Sequence, residues 1–228
     1  MDVIILAGGK GTRLQGVIGN MPKCLALIAG KPFIWHLLNY LKDWEFNKII
    51  LSVGYQKEMI ISYFKTNPND RVLFAEETEP LGTGGAIRFA LGLTSSKDVL
   101  VINGDTLFKI DLSLMIQYYH STDAEAVIAL RMVDDIARYG EVIVDDEGII
   151  TSFNEKSDRN SPGLINGGIY LLNRTLIEQS HFRSSFSFEK DLLPDAIASK
   201  KVHGIMFNDY FIDIGIPGDL EQAQSDLK

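Results

Sequence analysis

Apolar residues in the first half of the chain come in unbroken runs that stop abruptly at glycine or acid. Asp2-Val3-Ile4-Ile5-Leu6-Ala7 stops at Gly8-Gly9, and Lys48-Ile49-Ile50-Leu51-Ser52-Val53 stops at Gly54. Arg71-Val72-Leu73-Phe74-Ala75 stops at Glu76-Glu77, and Asp98-Val99-Leu100-Val101-Ile102 stops at Asn103-Gly104-Asp105. Such runs predict strands covered on both faces, as in a parallel sheet. Between them Phe33, Leu37, Leu38 and Leu41, then Met59, Ile60, Tyr63 and Phe64, then Ala86, Ile87, Ala90 and Leu91 recur at helical spacing. Strands alternating with helices imply right-handed crossovers on a parallel sheet. After about residue 120 the strands shorten, and the turn Asp145-Asp146-Glu147-Gly148 predicts a hairpin between Glu141–Val144 and Ile149–Phe153. No Pro/Gly/Ser-rich linker, low-complexity tract or fixed-period repeat divides the chain. One α/β domain spanning 1–228 is expected, with a central mixed, mostly parallel sheet flanked by helices. Its ligand should lie at the carboxyl edge of that sheet, where the polar strand ends converge.

Composition narrows the partners. The 228 residues carry 22 Lys+Arg against 30 Asp+Glu, a net charge of −8. A chain of this length buries roughly 70% of its unfolded surface, so no disulfide or metal staple is required. Cys24 is the single cysteine and cannot form an internal bridge. No basic segment followed by an apolar run and a small-residue cleavage site is present, and apolar stretches fall far below ~18 residues, so a soluble cytoplasmic protein without membrane attachment is expected. The acidic balance argues against nucleic acid as a partner, although a few well-placed cations can still meet an anionic ligand. A homo-oligomer is compatible with everything in the sequence.

Directly after the first run, Leu6-Ala7-Gly8-Gly9-Lys10-Gly11-Thr12-Arg13-Leu14 places three glycines in four positions, which lets backbone N–H groups approach a phosphate. Arg13 and Lys23 add cationic charge. Taken alone, the segment is equally an ordinary tight turn with a surface arginine. It lacks the third glycine of a dinucleotide fingerprint, and no Gly-Lys-Ser/Thr ends it as in a phosphate loop. Asp105, at the end of the fourth run, suits a hard oxygen-seeking cation, or else serves as an Asx-turn residue or as a cap for the segment beginning near Asp111. Asp213 lies between Ile212 and Ile214, where a carboxylate is rarely buried unless paired or bound to metal. Two acids from distant parts of the chain could together hold a divalent cation. His36, His120, His181 and His203 stand apart from these motifs, and no Ser-His-Asp, Cys-His or zinc-ligand spacing is seen.

Over its whole length the glycine segment resembles the signature of the sugar 1-phosphate nucleotidyltransferases, Gly-Gly-x-Gly-Thr-Arg-Leu with a Pro-Lys following, here Pro22-Lys23. The resemblance continues in order through Leu81-Gly82-Thr83-Gly84-Gly85-Ala86, Asn103-Gly104-Asp105, Tyr139-Gly140, Glu155-Lys156, Asn166-Gly167-Gly168-Ile169-Tyr170 and Phe211-Ile212-Asp213-Ile214-Gly215. It implies a Rossmann-like nucleotidyltransferase fold, with 1–120 as the nucleotide-binding half and 121–228 as the sugar-phosphate-binding half. It also implies an enzyme that joins a nucleoside triphosphate to a sugar 1-phosphate with loss of pyrophosphate, with Mg²⁺ as cofactor. Among these enzymes the short chain, Leu81 to Ala86 and Tyr210 to Gly215 look most like the guanylyltransferases acting on D-glycero-D-manno-heptose 1-phosphate. The GDP-heptose made would serve cell-surface polysaccharide.

Carried over residue by residue, the resemblance gives catalytic roles to Arg13 on the departing pyrophosphate, Lys23 on the α-phosphate, and Asp105. Nucleotide binding falls to Leu6, Ala7, Gly8, Gly9, Gly11, Thr12, Arg13, Lys23, Glu77, Gly82, Thr83, Asn103 and Gly104, with Glu76 a further candidate beside Glu77 for reading the base. Tyr139, Gly140, Glu155, Lys156, Asn166 and Gly167 would hold the sugar phosphate, and Asp105 with Asp213 the metal. The family's common Glu-Lys-Pro is here Glu155-Lys156-Ser157, followed by a polar stretch. Competing readings are a mannose 1-phosphate guanylyltransferase, an enzyme joining glucose 1-phosphate to UTP, dTTP or CTP, a metal-dependent glycosyltransferase, and a catalytically silent nucleotide-sugar sensor. The glycosyltransferase's usual Asp-x-Asp is replaced by Asn103-Gly104-Asp105, and intact Arg13, Lys23, Asp105, Lys156 and Asp213 count against a silent sensor.

Overall fold

A computed structural model describes residues 1–137, 139–154 and 160–228. The strands are β1 (Asp2–Leu6), β2 (Leu27–Ile28), β3 (Lys31–Pro32), β4 (Ile49–Val53), β5 (Val72–Glu76), β6 (Asp98–Asn103), β7 (Thr106–Phe108), β8 (Ala126–Val133), β9 (Glu141–Val144), β10 (Ile150–Asn154), β11 (Gly163–Asn173), β12 (Val202–Phe207) and β13 (Phe211–Asp213). The helices are α1 (Gln15–Ile18), α2 (Phe33–Leu41), α3 (Lys57–Thr66), α4 (Gly82–Leu91), α5 (Leu112–Ser121), α6 (Arg174–Glu178), α7 (Leu193–Ala198) and α8 (Pro217–Asp226).

Seven strands form the central sheet in the order β12-β8-β11-β6-β1-β4-β5. β1, β4, β5 and β6 run parallel, β11 is antiparallel to both β6 and β8, and β12 runs parallel to β8. The sheet is therefore mixed and mostly parallel, as the alternating pattern predicts. Along β1 the pleat sends Val3 and Ile5 to one core and Ile4 to the other, and all three are fully buried. Both faces are thus apolar, which explains the unbroken run. On one face Leu37 of α2, Ile60 of α3, Met115 of α5 and Ala223 of α8 complete the core; on the other Ile87 of α4, Ile177 of α6 and Leu193 of α7 do so. No helix among the described residues is long and apolar enough to cross a membrane.

Two features of this architecture deliver residues to the carboxyl edge. First, backbone bonds tie neighbouring strand ends together: Ala7 N–H donates to Ser52 O (2.8 Å), Gly104 N–H to Leu6 O (2.9 Å) and Glu77 N–H to Val53 O (2.8 Å). Second, β13 pairs antiparallel with β7 so that Asp213 faces Thr106, and Ile214 N–H donates to Asp105 O at 2.9 Å. Asp213 and Asp105, 108 residues apart in sequence, become neighbours through that register alone. The helix α4 begins at Gly82, so the segment Gly82–Gly85 is its first turn and not a separate loop.

Gly104 is a point of close approach. A Cβ there would stand 2.6 Å from Leu6 O and 3.2 Å from Ala7 Cα, both backbone atoms that cannot step aside. Gly104→Ala is therefore expected to destabilise the protein by about 1–3 kcal/mol through overpacking, read as a lowered midpoint in thermal or urea unfolding. An unchanged midpoint would show that the two strand ends are not locked together.

Candidate active site

The glycine segment turns out of β1 against its neighbours. A Cβ on Gly8 would lie 2.8 Å from Glu77 Oε1 and 3.3 Å from Gly54 N, so only glycine lets this turn sit against the adjoining strand ends. Gly11 has φ +60° and precedes a short 3-10 turn, Thr12–Leu14, whose Leu14 is buried. A Cβ on Gly11 would fall 2.6 Å from Lys23 Cγ. The lysine stem thus lies along the bare face of Gly11, and its Nζ reaches Asp105 Oδ2 at 2.7 Å. Both side chains of this pair are partly solvated, 15% and 33% exposed, which limits its worth as a stabilising contact.

Above these strand ends lies a cavity of about 650 Å³, within the usual range for a small-ligand site. Leu6, Gly8, Gly9, Glu77, Gly82, Thr83, Asn103 and Asp105 line it, all of them residues singled out from the sequence. Ala7 and Gly104 are buried, while Thr12 and Arg13 are exposed on the 3-10 turn; none of these four, nor Gly11 and Lys23, lines the cavity itself. Glu77 and Glu76 separate cleanly. Glu77 faces the cavity, where its Oε1 accepts from Ser52 Oγ (3.1 Å) and its Oε2 from Leu81 N–H (3.2 Å). Glu76 is exposed and pairs with Lys57 at 3.4 Å.

Of the sugar-phosphate residues expected from the sequence, Tyr139, Gly140, Asn166 and Gly167 are among the described residues. Asn166 accepts from Gly168 N–H through Oδ1 (2.9 Å) and donates through Nδ2 to the Tyr170 hydroxyl (2.7 Å). Tyr170, fully buried, donates in turn to Glu189 Oε1 at 3.1 Å, and Glu189 lines the cavity. Burial and the Glu189 charge push the Tyr170 phenol well above its ordinary pKa, so it stays a donor. Gly167 is buried, and a Cβ there would strike the Phe108 ring at 2.5 Å and Ala129 O at 2.8 Å; its smallness serves packing. Gly140 adopts φ +98°, and the Tyr139 ring stands 6.1 Å from that of Phe211, two residues before Asp213. Glu155 and Lys156 lie outside the described residues.

The β7–β13 register brings the backbones of Asp105 and Asp213 together at this edge, and two carboxylates are an oxygen set that suits a hard divalent cation. Among the described residues no group of three or more His, Cys, Asp or Glu side chains gathers to hold a metal unaided. The buried Cys24 thiol, raised to about 12 by burial and then by the Asp105 charge, is no nucleophile. Lys10, Ser52, Tyr55 and Glu189 also line the cavity without having been marked by the sequence. Ser52 was legible in principle, as the lone hydroxyl inside an otherwise apolar run. Glu189 was not, since its partner Thr83 lies 106 residues away.

The same architecture and motifs occur in known proteins. The Nucleotidyl transferase family profile matches residues 2–228. The D-glycero-alpha-D-manno-heptose 1-phosphate guanylyltransferase of Aneurinibacillus thermoaerophilus is 42% identical over 229 residues, covering 100% of this chain and 99% of its own. The protein of the same description from Campylobacter jejuni is 41% identical over 220 residues, 96% of each chain. The crystal structure of HddC from Yersinia pseudotuberculosis complexed with GMP-PN aligns with a TM-score of 0.87 at 41% identity, covering 100% of this chain and 99% of that one. With the family pattern met from β1 through α8, and relatives above 40% identity matching along essentially their whole length, the chain belongs to the nucleotidyl transferase family.

Proposed function

We propose that the protein transfers GMP from GTP to D-glycero-α-D-manno-heptose 1-phosphate, giving the GDP-sugar and pyrophosphate. The observation that carries this reading is the end-to-end likeness to heptose 1-phosphate guanylyltransferases, 42% identity with both chains covered. A phosphate oxygen of the sugar 1-phosphate attacks the α-phosphorus of GTP in line with the departing pyrophosphate. The P–O bond to the sugar phosphate forms as the bond to the β-phosphate oxygen breaks, and the electron pair leaves with pyrophosphate. The nucleophile is already an anion and needs no general base. The work of the protein is to gather two polyanions and neutralise charge as it shifts.

The chain's residues divide that work. Backbone amides of Gly8 to Gly11 receive the triphosphate. Lys23, its stem fixed along Gly11 and its ammonium on Asp105, exchanges Asp105 for the α-phosphate. Asp105 and Asp213 would hold Mg²⁺, which when bound would offset triphosphate charge. Arg13, exposed on its turn, meets the departing pyrophosphate, and Lys156 the phosphate of the sugar. Each Glu77 oxygen already takes one internal donor and keeps lone-pair capacity for the N1 and N2 hydrogens of guanine. Adenine presents an acceptor at that edge, which would leave buried groups unpaired at about 1–3 kcal/mol each.

Steady-state kcat/KM measured by pyrophosphate release decides the substrate pair. GTP with the heptose 1-phosphate is expected to be best, with ATP at least tenfold poorer and mannose 1-phosphate detectably used. A pyrimidine nucleotide or glucose 1-phosphate coming out best would contradict the assignment. Asp105→Asn and Asp213→Asn should each lower turnover by ~10²-fold or more with the fold retained, as loss of charge stabilisation at a transferring phosphorus does; wild-type rates in both variants, or full activity in a chelator, would refute the metal role. Lys156→Ala should chiefly raise KM for the sugar 1-phosphate, whereas Arg13→Ala should impair use of GTP. Equal loss of nucleotide affinity in the two would overturn that division.

A further inference from the structure

Arg88, on α4, belongs to none of the roles above, yet its guanidinium gathers an entire segment of chain. Nη1 donates to Phe182 O (2.8 Å) and Arg183 O (3.0 Å). Nη2 donates to Ile177 O (3.4 Å), Ser180 O (3.3 Å) and Ser180 Oγ. The guanidinium carbon stands 4.5 Å from the centre of the Phe186 ring, which stacks at 18° on Phe182. Carbonyls of four residues in a stretch with little regular structure thus converge on one planar cation, a task for which its forked donors suit arginine and not lysine.

The segment so held does not line the cavity but packs behind one wall of it, the wall made by Gly82, Thr83 and Glu189. Phe186 N–H donates to Leu81 O (2.9 Å), and Phe186 O accepts from Gly84 N–H (3.0 Å) and Gly85 N–H (3.2 Å). Phe188 N–H donates to Thr83 Oγ1 (2.8 Å), and Thr83 Oγ1 donates to Glu189 Oε2 (2.5 Å). The fit leaves no room for side chains. A Cβ on Gly82 would meet Phe186 O at 2.5 Å, one on Gly84 would overlap the Phe186 ring, and one on Gly85 would overlap Ser184 O. The glycines of this turn are therefore accounted for by the segment laid across them, and Gly82, Thr83 and Glu189 keep their places in the cavity wall because that segment is fixed.

We infer that Arg88 is a positioning residue for the nucleotide: through the segment from Ile177 to Phe188 it sets the wall made by Gly82, Thr83 and Glu189. This rests on the proposed reading in which that end of the cavity takes the base of GTP. Loosening the latch weakens GTP binding and base discrimination while leaving the transfer step, carried out at the other strand ends, unchanged. A residue that merely stabilised the fold would behave differently, since its loss lowers the fraction of active enzyme and hence apparent kcat without altering KM.

The test compares Arg88→Met, which keeps an apolar stem, with Arg88→Lys, Ser180→Ala and, as a marker of the base site, Glu77→Gln. For Arg88→Met, KM for GTP should rise about tenfold and the GTP:ATP ratio of kcat/KM should fall about fivefold. In the same variant kcat and KM for the heptose 1-phosphate should stay within about twofold of wild type, and hydrogen exchange should quicken in peptides covering Gly84 and Gly85. Arg88→Lys and Ser180→Ala should shift GTP KM in the same direction by less, and they decide the matter if Arg88→Met does not fold. Unchanged GTP KM across the folded Arg88 and Ser180 variants overturns the inference. A Glu77→Gln enzyme with wild-type base preference would instead refute the base-site reading, while GTP KM in the Arg88 variants would still decide the positioning role.

Discussion

The parallel alignment of β1, β4, β5 and β6 is the constraint on which the rest of the molecule depends. In parallel strands every chain arrives at the same edge with its carboxyl end, so the residues after each strand are delivered to one place. Here those residues are Gly8-Gly9, Gly54-Tyr55, Glu77 and Gly104-Asp105, and the bonds Ala7 N–H to Ser52 O and Gly104 N–H to Leu6 O hold the ends level. Both faces must be covered for such a sheet to exist, and the helices of the crossovers supply that cover with Leu37 and Ile60 on one side and Ile87 and Ala90 on the other. The site is a by-product of how the core is closed. Glycine at 8 and 104 follows from it, because neighbouring ends come within contact of where a Cβ would be.

An acidic protein proposed to bind two polyanions must concentrate its cations locally. Net charge of −8 gives no general attraction for GTP, whereas Lys10 lines the cavity, Lys23 reaches Asp105 and Arg13 sits on the turn that follows β1. The Lys23–Asp105 contact joins a cation and an acid that the proposed mechanism assigns to different partners. Under that proposal each group neutralises the other until substrate and metal separate them. Partial solvation of both side chains keeps that separation inexpensive, since an ion pair in contact with water is held by little net energy.

The strands of the first half were legible because burial on both faces leaves an unambiguous trace, and β1, β4, β5 and β6 match the apolar runs to within a residue at each end. Other features were not legible, each for a physical reason. The glycine-rich start of α4 reads as a loop by intrinsic propensity; contacts from Phe186 and Ser184, far along the chain, make it helical. The insertion of antiparallel β11 between β6 and β8 depends on pairing choices that composition does not encode. Of Glu76 and Glu77, both plausible in sequence, Glu77 alone enters the cavity, while Glu76 turns to Lys57. The acids Asp105 and Asp213 were nominated by their surroundings, but their adjacency comes from the β7–β13 register.

A crystal structure of the protein with a non-hydrolysable GTP analogue and Mg²⁺ bears most directly on the claim that the strand-end cavity is the nucleotide site and that Lys23 and Asp105 part company there. The expected result has the base between Glu77 and Gly82, the phosphates over Gly8 to Gly11, and Lys23 drawn off Asp105 onto a phosphate. A nucleotide bound elsewhere, or one bound in this cavity above an intact Lys23–Asp105 pair, would contradict it.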